Sequence, residues 1–105
     1  MIKIGIIGGS GLENPQILEE QKDVVAVTEY GEPSSPLLAG KIAGIPVVIL
    51  SRHGRKHDIS PTNVNYRANI QALKEAGCTH IIATSACGSL REDIQPGDFI
   101  FIDQF

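Results

Sequence analysis

Apolar residues in this chain come in short runs divided by glycine, proline and polar clusters; one stretch repeats instead with helical spacing. The run IKIGIIG (2–8) predicts a buried strand feeding a tight glycine turn. NPQILEEQK (14–22) predicts a short helix, with Asn14 as its cap and Pro15 at the first helical position. VVAVTEYGEP (24–33) reads as a strand ending in a Gly/Pro turn. LLAGKIAGIPVVILS (37–51) reads as two strands joined at Ala43-Gly44. Beyond a polar loop broken by Pro61, residues Val64, Ala68, Ala72, Leu73 and Ala76 fall on one helical stripe. Thr62 or Asn63 is expected to cap that helix, and Gly77 to end it in a left-handed conformation. THIIATSACGSL (79–90) predicts a strand leading to a turn of small residues. GDFIFIDQF (97–105) predicts one more strand, begun by the Pro96-Gly97 turn.

About six strands with one convincing helix make an unbalanced inventory, because a mostly parallel sheet needs helices on both faces. The expected class is therefore α/β with a mixed, largely parallel sheet. The chain is expected to be the front part of a larger domain, since its last apolar run has no terminator.

Composition narrows the partners. The 105 residues carry a formal net charge of -3 with a pI near 5.5, which argues against a general nucleic-acid or membrane-surface binder. No apolar run is long enough for a membrane helix, and the N-terminus lacks the form of a signal peptide. The two cysteines, Cys78 and Cys87, form neither a metal-ligand spacing nor a disulfide framework. Both are expected to be small core residues, and the expected compartment is the reducing cytoplasm.

Against this acidic background SRHGRKH (51–57) stands out. It holds three of the nine Lys/Arg residues and two of the three histidines. It follows the apolar strand PVVIL, and the carboxyl end of a buried strand faces the usual ligand crevice of an open α/β sheet. Arg52 offers a planar fork to two oxygens of an anion and His53 a further donor, with Gly54 allowing a sharp turn. The plain alternative is a solvated basic loop, to which Lys56 belongs in either case.

Two other stretches carry donors at strand ends. In GGSG (8–11) glycines let backbone N–H groups approach a phosphate and the Ser10 hydroxyl adds another donor; a purely structural turn is the alternative. A dinucleotide fingerprint fails, because GSGLEN places Asn14 where the third glycine belongs. In TSACGS (84–89) Thr84 and Ser85 offer hydroxyls beside small residues, although such a turn is commonly only a turn. Neither stretch is a G-x-S-x-G elbow, so a serine hydrolase has no support. His80 is expected to satisfy itself locally. Arginine, imidazole, hydroxyls and glycine N–H groups at the ends of three strands, with no carboxylate among them, describe a phosphate site.

GIIGGSGL, SRHGRKH followed by VNYRANIQALKEAGC, and TSACGSLREDIQPGDFIFIDQF closely resemble the methylthioadenosine phosphorylases within the trimeric purine nucleoside phosphorylase family. The resemblance runs from Ile2 to Phe105. It implies that residues 1–105 are the N-terminal, phosphate-binding part of a single nucleoside phosphorylase domain whose C-terminal part is absent. It implies phosphorolysis of 5'-methylthioadenosine or a related purine nucleoside to the free base and a (methylthio)ribose 1-phosphate, in purine and methionine salvage. Phosphate is then the co-substrate and nucleophile, and no cofactor or metal is expected. Residues matching the family's phosphate donors are Ser10, Arg52, His53, Ser85 and the backbone of Ala86. Many relatives carry threonine where this chain has Ser10 and Ser85, which keeps the hydroxyl. The family's base-recognising carboxylates and main ribose contacts lie in its second half, so no catalytic residue is assigned here and the chain alone is expected to be inactive. The expected partners are phosphate and a purine nucleoside, with neither nucleic acid nor membrane, and a homotrimer at full length. A truncated anion-binding half-domain and a purine nucleoside or methylthioinosine phosphorylase are the alternatives.

Overall fold

A computed structural model describes residues 1–9, 12 and 15–104. Five strands form one mixed sheet: β1 (Ile4–Gly8), β2 (Glu19–Val24), β3 (Leu37–Ile42), β4 (Ile45–Ser51) and β5 (His80–Ala83). Their order across the sheet is β2-β3-β4-β1-β5. The pairs β4-β1 and β1-β5 are parallel, whereas β2-β3 and β3-β4 are antiparallel. The α-helix among the described residues, α1 (Tyr66–Glu75), is preceded by a 3-10 turn at Pro61–Asn63.

The hairpin between β3 and β4 turns at Ala43 and Gly44, whose φ values of 50° and 78° are those of a two-residue turn matched to strand twist. Helix α1 is capped by Asn65 rather than by Thr62 or Asn63, its side chain accepting a 3.1 Å hydrogen bond from the Ala68 N–H. The Pro61 turn uses up the earlier candidates. The helix ends as expected at Gly77. The Gly77 N–H donates to the Lys74 carbonyl and the Cys78 N–H to the Leu73 carbonyl, satisfying two carbonyls the helix leaves open.

Two apolar clusters sit on the two faces of the sheet. One gathers Ile7, Leu37, Val48, Leu50, Ala72 and Leu73, with Ala76 and Cys78 packed against it, so α1 is its cover. The other gathers Leu18, Val47 and Ile49 with Ile4, Ile6, Leu12, Leu38 and Ile42. Buried Asn69 ties α1 to the segment before β3: its Oδ1 accepts from the Ser34 N–H at 2.8 Å and its Nδ2 donates to the Ser34 hydroxyl.

The structure corrects several expectations. Residues 15–24 form no helix; Asn14 lies outside the described residues, and Glu19–Val24 is strand β2. All six of its side chains are exposed, so no apolar stripe holds a helix together, and the backbone ladder to β3 overrides helix propensity. The strand expected over 24–33 ends at Val24, and Thr28 and Gly31 close a tight turn with reciprocal 2.9 Å bonds. Residues 97–104 form no strand, because they join no ladder of the sheet; the Asp98 N–H donates locally to the Gln95 carbonyl. Cys87 is exposed, not core, since nothing packs over the turn after β5; Cys78 is half-buried, and that burial raises its thiol pKa against the pull of Lys3. His80 does satisfy itself locally, its Nδ1 sharing a 2.9 Å hydrogen bond with the Thr79 hydroxyl. No helix among the described residues is long and apolar enough to cross a membrane.

Candidate functional site

The parallel register explains how three separate stretches meet. Gly8 of β1 lies opposite Ser51 of β4, and Ile7 lies opposite Ala83 of β5. Each ladder runs on for one more bond: the Arg52 N–H donates to the Gly8 carbonyl and the Thr84 N–H to the Ile7 carbonyl, both at 2.9 Å. The chain after β1, after β4 and after β5 therefore leaves the sheet at one edge, at one level.

Between these exits lies an open cleft of about 500 Å³, lined by Gly9, Arg52, His53, His57, Pro61, Tyr66, Ser85 and Ala86. Of the five residues assigned from the sequence, Arg52, His53, Ser85 and Ala86 share this cleft. The fifth, Ser10, lies outside the described residues, although Gly9 beside it is part of the wall.

Arg52 is held across the end of β1. Its Nη1 donates to the Thr84 carbonyl at 3.0 Å, so the guanidinium spans from β4 to the β5 exit. A side chain at Gly9 would put its Cβ 3.0 Å from Arg52 Nη2, so glycine leaves the fork its room. The ion pairs among the described residues are Lys41 with Glu20, Arg55 with Asp23 and Arg91 with Asp93. None of them engages Arg52, whose charge stays available to a ligand.

The basic loop is built from successive turns. Gly54 N–H donates to the Ser51 carbonyl, His57 N–H to the Gly54 carbonyl and Ile59 N–H to the His53 carbonyl, each at 3.0 Å. At Gly54 φ is 83°, a left-handed conformation that costs glycine nothing, while His57 adopts φ 58° despite its side chain. The His53 Nδ1 donates to the Ile59 carbonyl at 3.0 Å, and the His53 and His57 ring centroids are 5.5 Å apart. Arg55 turns away from the cleft and binds Asp23 with both terminal guanidinium nitrogens, Nη1 and Nη2, at 3.1 and 2.7 Å. That contact clamps the loop to β2, and the hydrogen bond from Arg55 is the main reason the Asp23 carboxyl sits below its usual range. Lys56 is exposed, as expected of a solvated charge.

Sequence reasoning missed His57, Pro61 and Tyr66. His57 sat within the singled-out basic run, but nothing separated it from Lys56 beside it. Pro61 and Tyr66 carry no polar signal toward a ligand; Tyr66 spends its hydroxyl on the Pro61 carbonyl at 3.2 Å, and together they give the cleft an apolar wall. Among the described residues no group of histidines, cysteines and carboxylates could hold a metal ion. The arrangement offers a forked cation, an imidazole, a hydroxyl and main-chain donors to a small anion, beside space for a larger apolar group.

The chain is 64% identical over 104 residues to the S-methyl-5'-thioadenosine phosphorylase of Danio rerio, covering 99% of this chain and 37% of that protein. It is 60% identical over 107 residues to the enzyme of the same name from Drosophila melanogaster, again covering 37% of its length. The chain thus spans little more than a third of these relatives. Among solved structures, methylthioadenosine phosphorylase from Schistosoma mansoni superposes with a TM-score of 0.86 in its apo form, at 50% identity over 93% of this chain and 35% of the other. The same enzyme in complex with adenine gives 0.87, with the same identity and coverage. The sequence pattern of the Phosphorylase superfamily matches residues 3–105, and the chain belongs to that family.

Proposed function

We propose that this chain supplies the phosphate-holding part of a nucleoside phosphorylase that cleaves 5'-methylthioadenosine, or a related purine nucleoside, to the free base and a (methylthio)ribose 1-phosphate. The observation that carries the proposal is the convergence of Gly9, Arg52, His53, Ser85 and Ala86 on one cleft at the ends of three neighbouring strands. The names of the Danio and Drosophila relatives support the substrate. So does the size of the cleft, which exceeds what a phosphate ion fills.

In this reading phosphate is the nucleophile at the anomeric carbon, so the protein needs no covalent nucleophile of its own. Arg52 holds two phosphate oxygens, the Ser85 hydroxyl and Ala86 N–H hold others, and Ser10, which matches the family's pattern, adds a further donor. Holding the attacking oxygen beneath the sugar removes much of the entropy of a bimolecular encounter, and fixed donors stabilise charge as the base departs. Residues 1–105 are the N-terminal, phosphate-binding part of the domain. The base and the main ribose contacts come from parts of a family-length domain beyond this chain, which also cover the apolar residues exposed after β5. The reaction takes no cofactor, and the full-length protein works as a cytoplasmic homotrimer.

The test is phosphorolysis by the complete gene product. Supplied with 5'-methylthioadenosine, it should release adenine only when phosphate is present, and the isolated 105-residue chain should release none. Adenine release independent of phosphate would overturn the reaction, and turnover by the isolated chain would overturn the division of labour.

A further inference from the structure

The Ile59 carbonyl can only accept a hydrogen bond, so its 3.0 Å contact with His53 places the proton on Nδ1. In the neutral ring Nε2 is then an acceptor, and it is the only polar atom the imidazole has left for the cleft it lines. The bond is built into the loop: the Ile59 N–H donates back to the His53 carbonyl, so the two residues are joined by a reciprocal pair that fixes both backbone and ring. Of the other groups lining this cleft, Arg52, Ser85 and the Gly9 and Ala86 main chains bring hydrogen-bond donors, His57 is a second imidazole, and the Tyr66 hydroxyl donates to the Pro61 carbonyl. Charged or titratable neighbours of the ring are the adjacent Arg52, which lines the same cleft, His57 at 5.5 Å and Asp58, whose carboxylate lies close to Gly54.

We infer that neutral His53 reads the proton on the anion: its Nε2 accepts the P–OH of monohydrogen phosphate, and the site thereby prefers phosphate to sulfate. The inference rests on the phosphate reading of the cleft and goes beyond it, since it turns His53 from a general donor into a specificity device. Sulfate at neutral and alkaline pH has the same charge and shape as monohydrogen phosphate but no proton. It would set an oxygen lone pair against the Nε2 lone pair, and an unmatched acceptor pair costs binding. A protonated ring would lose the preference, because the imidazolium donates from both nitrogens to an oxygen of either anion.

The experiment is calorimetric titration of the complete gene product with inorganic phosphate and with sulfate across mildly acidic to mildly alkaline pH. At mildly alkaline pH phosphate should bind at least about tenfold tighter than sulfate. That ratio should shrink toward mildly acidic pH, and it should collapse toward one in His53→Ala. Because the readout is a ratio within each protein, a general loss of stability in the variant does not mimic it. Imidazole 15N resonances of the unaltered protein should independently report the Nδ1–H tautomer. Equal affinities at alkaline pH, a preference that survives His53→Ala, or an Nε2–H tautomer would each overturn the inference while leaving the anion site standing. Binding of neither anion would overturn the phosphate site itself.

Discussion

Two apolar runs of similar composition meet opposite fates. Val47 to Leu50, in β4, are each 3% exposed or less, whereas Phe99 and Phe101 are 93% and 96% exposed. The difference lies in what surrounds them. Strand β4 has β3 on one edge and β1 on the other, α1 over one face and Leu12 and Leu18 over the other. Residues 99–102 have neither a paired backbone nor a cover. Strand β5 stands between these limits: it pairs with β1 along one edge, yet Ile81 and Ile82 remain exposed. Apolar character supplies the tendency to bury, and neighbours decide whether it is realised. The site follows the same division, because Arg52 grows out of the packed region while Ser85 and Ala86 hang from the uncovered strand.

The largest test of this contrast is Leu73→Ala. Leu73 is fully buried where α1 meets the sheet, so truncation should cost about 2–5 kcal/mol by denaturant unfolding. A loss below about 1 kcal/mol would mean that the α1 face is as loosely packed as the residues after β5.

Arg52→Ala comes next and probes function at the junction. Losing a charge-assisted contact of roughly 1.5–3 kcal/mol should weaken phosphate binding about 10- to 150-fold. Lys56→Ala, four residues on and exposed, should leave it within a few-fold. Equal losses in the two variants would show that the loop acts through its general field rather than through a placed guanidinium.

A smaller effect is expected from Asp23→Asn, which releases the basic loop from β2. The Asp23 carboxyl is lowered chiefly by its hydrogen bond from Arg55, with the guanidinium charge adding and desolvation opposing. Its contribution to stability is therefore present above the ordinary carboxylate range and is lost as pH falls through the lowered folded value. Thermal midpoints measured down the acid limb should fall less steeply in Asp23→Asn than in the parent. Identical limbs would show that the clamp contributes nothing to stability.

The smallest effect belongs to Phe101→Ser. In the isolated chain it should change unfolding free energy by no more than about 0.5 kcal/mol, as surface substitutions do. A clear destabilisation would reveal packing of residues 97–104 that their exposure denies.

Much of the site was legible before the fold was known. Arg52, His53 and Ser85 each follow an apolar run, and strand ends are where an open α/β sheet gathers ligand groups, whereas Ala86 came from the family resemblance. His57, Pro61 and Tyr66 were not legible, because they reach the cleft through a loop path set by consecutive turns. The β3-β4 hairpin was readable from Ala43-Gly44, and the α1 terminus from Gly77, since both signals are local. The helix expected at 14–22 and the strand expected at 97–105 failed for one reason: each rested on local propensity, and pairing across the sheet had the final say.

The sequence by itself determined which segments seek burial, where α1 and the hairpin stop, and which residues carry anion chemistry. These follow from side-chain polarity, spacing and backbone freedom, all properties of neighbours along the chain. Only the tertiary structure decided that β2 is a strand, that Arg55 is committed to Asp23 while Arg52 faces the cleft, and that the His53 proton sits on Nδ1. Each of those depends on a partner distant in sequence or on the path of a folded loop, and a hydrogen bond or ion pair exists only once both ends have been brought together.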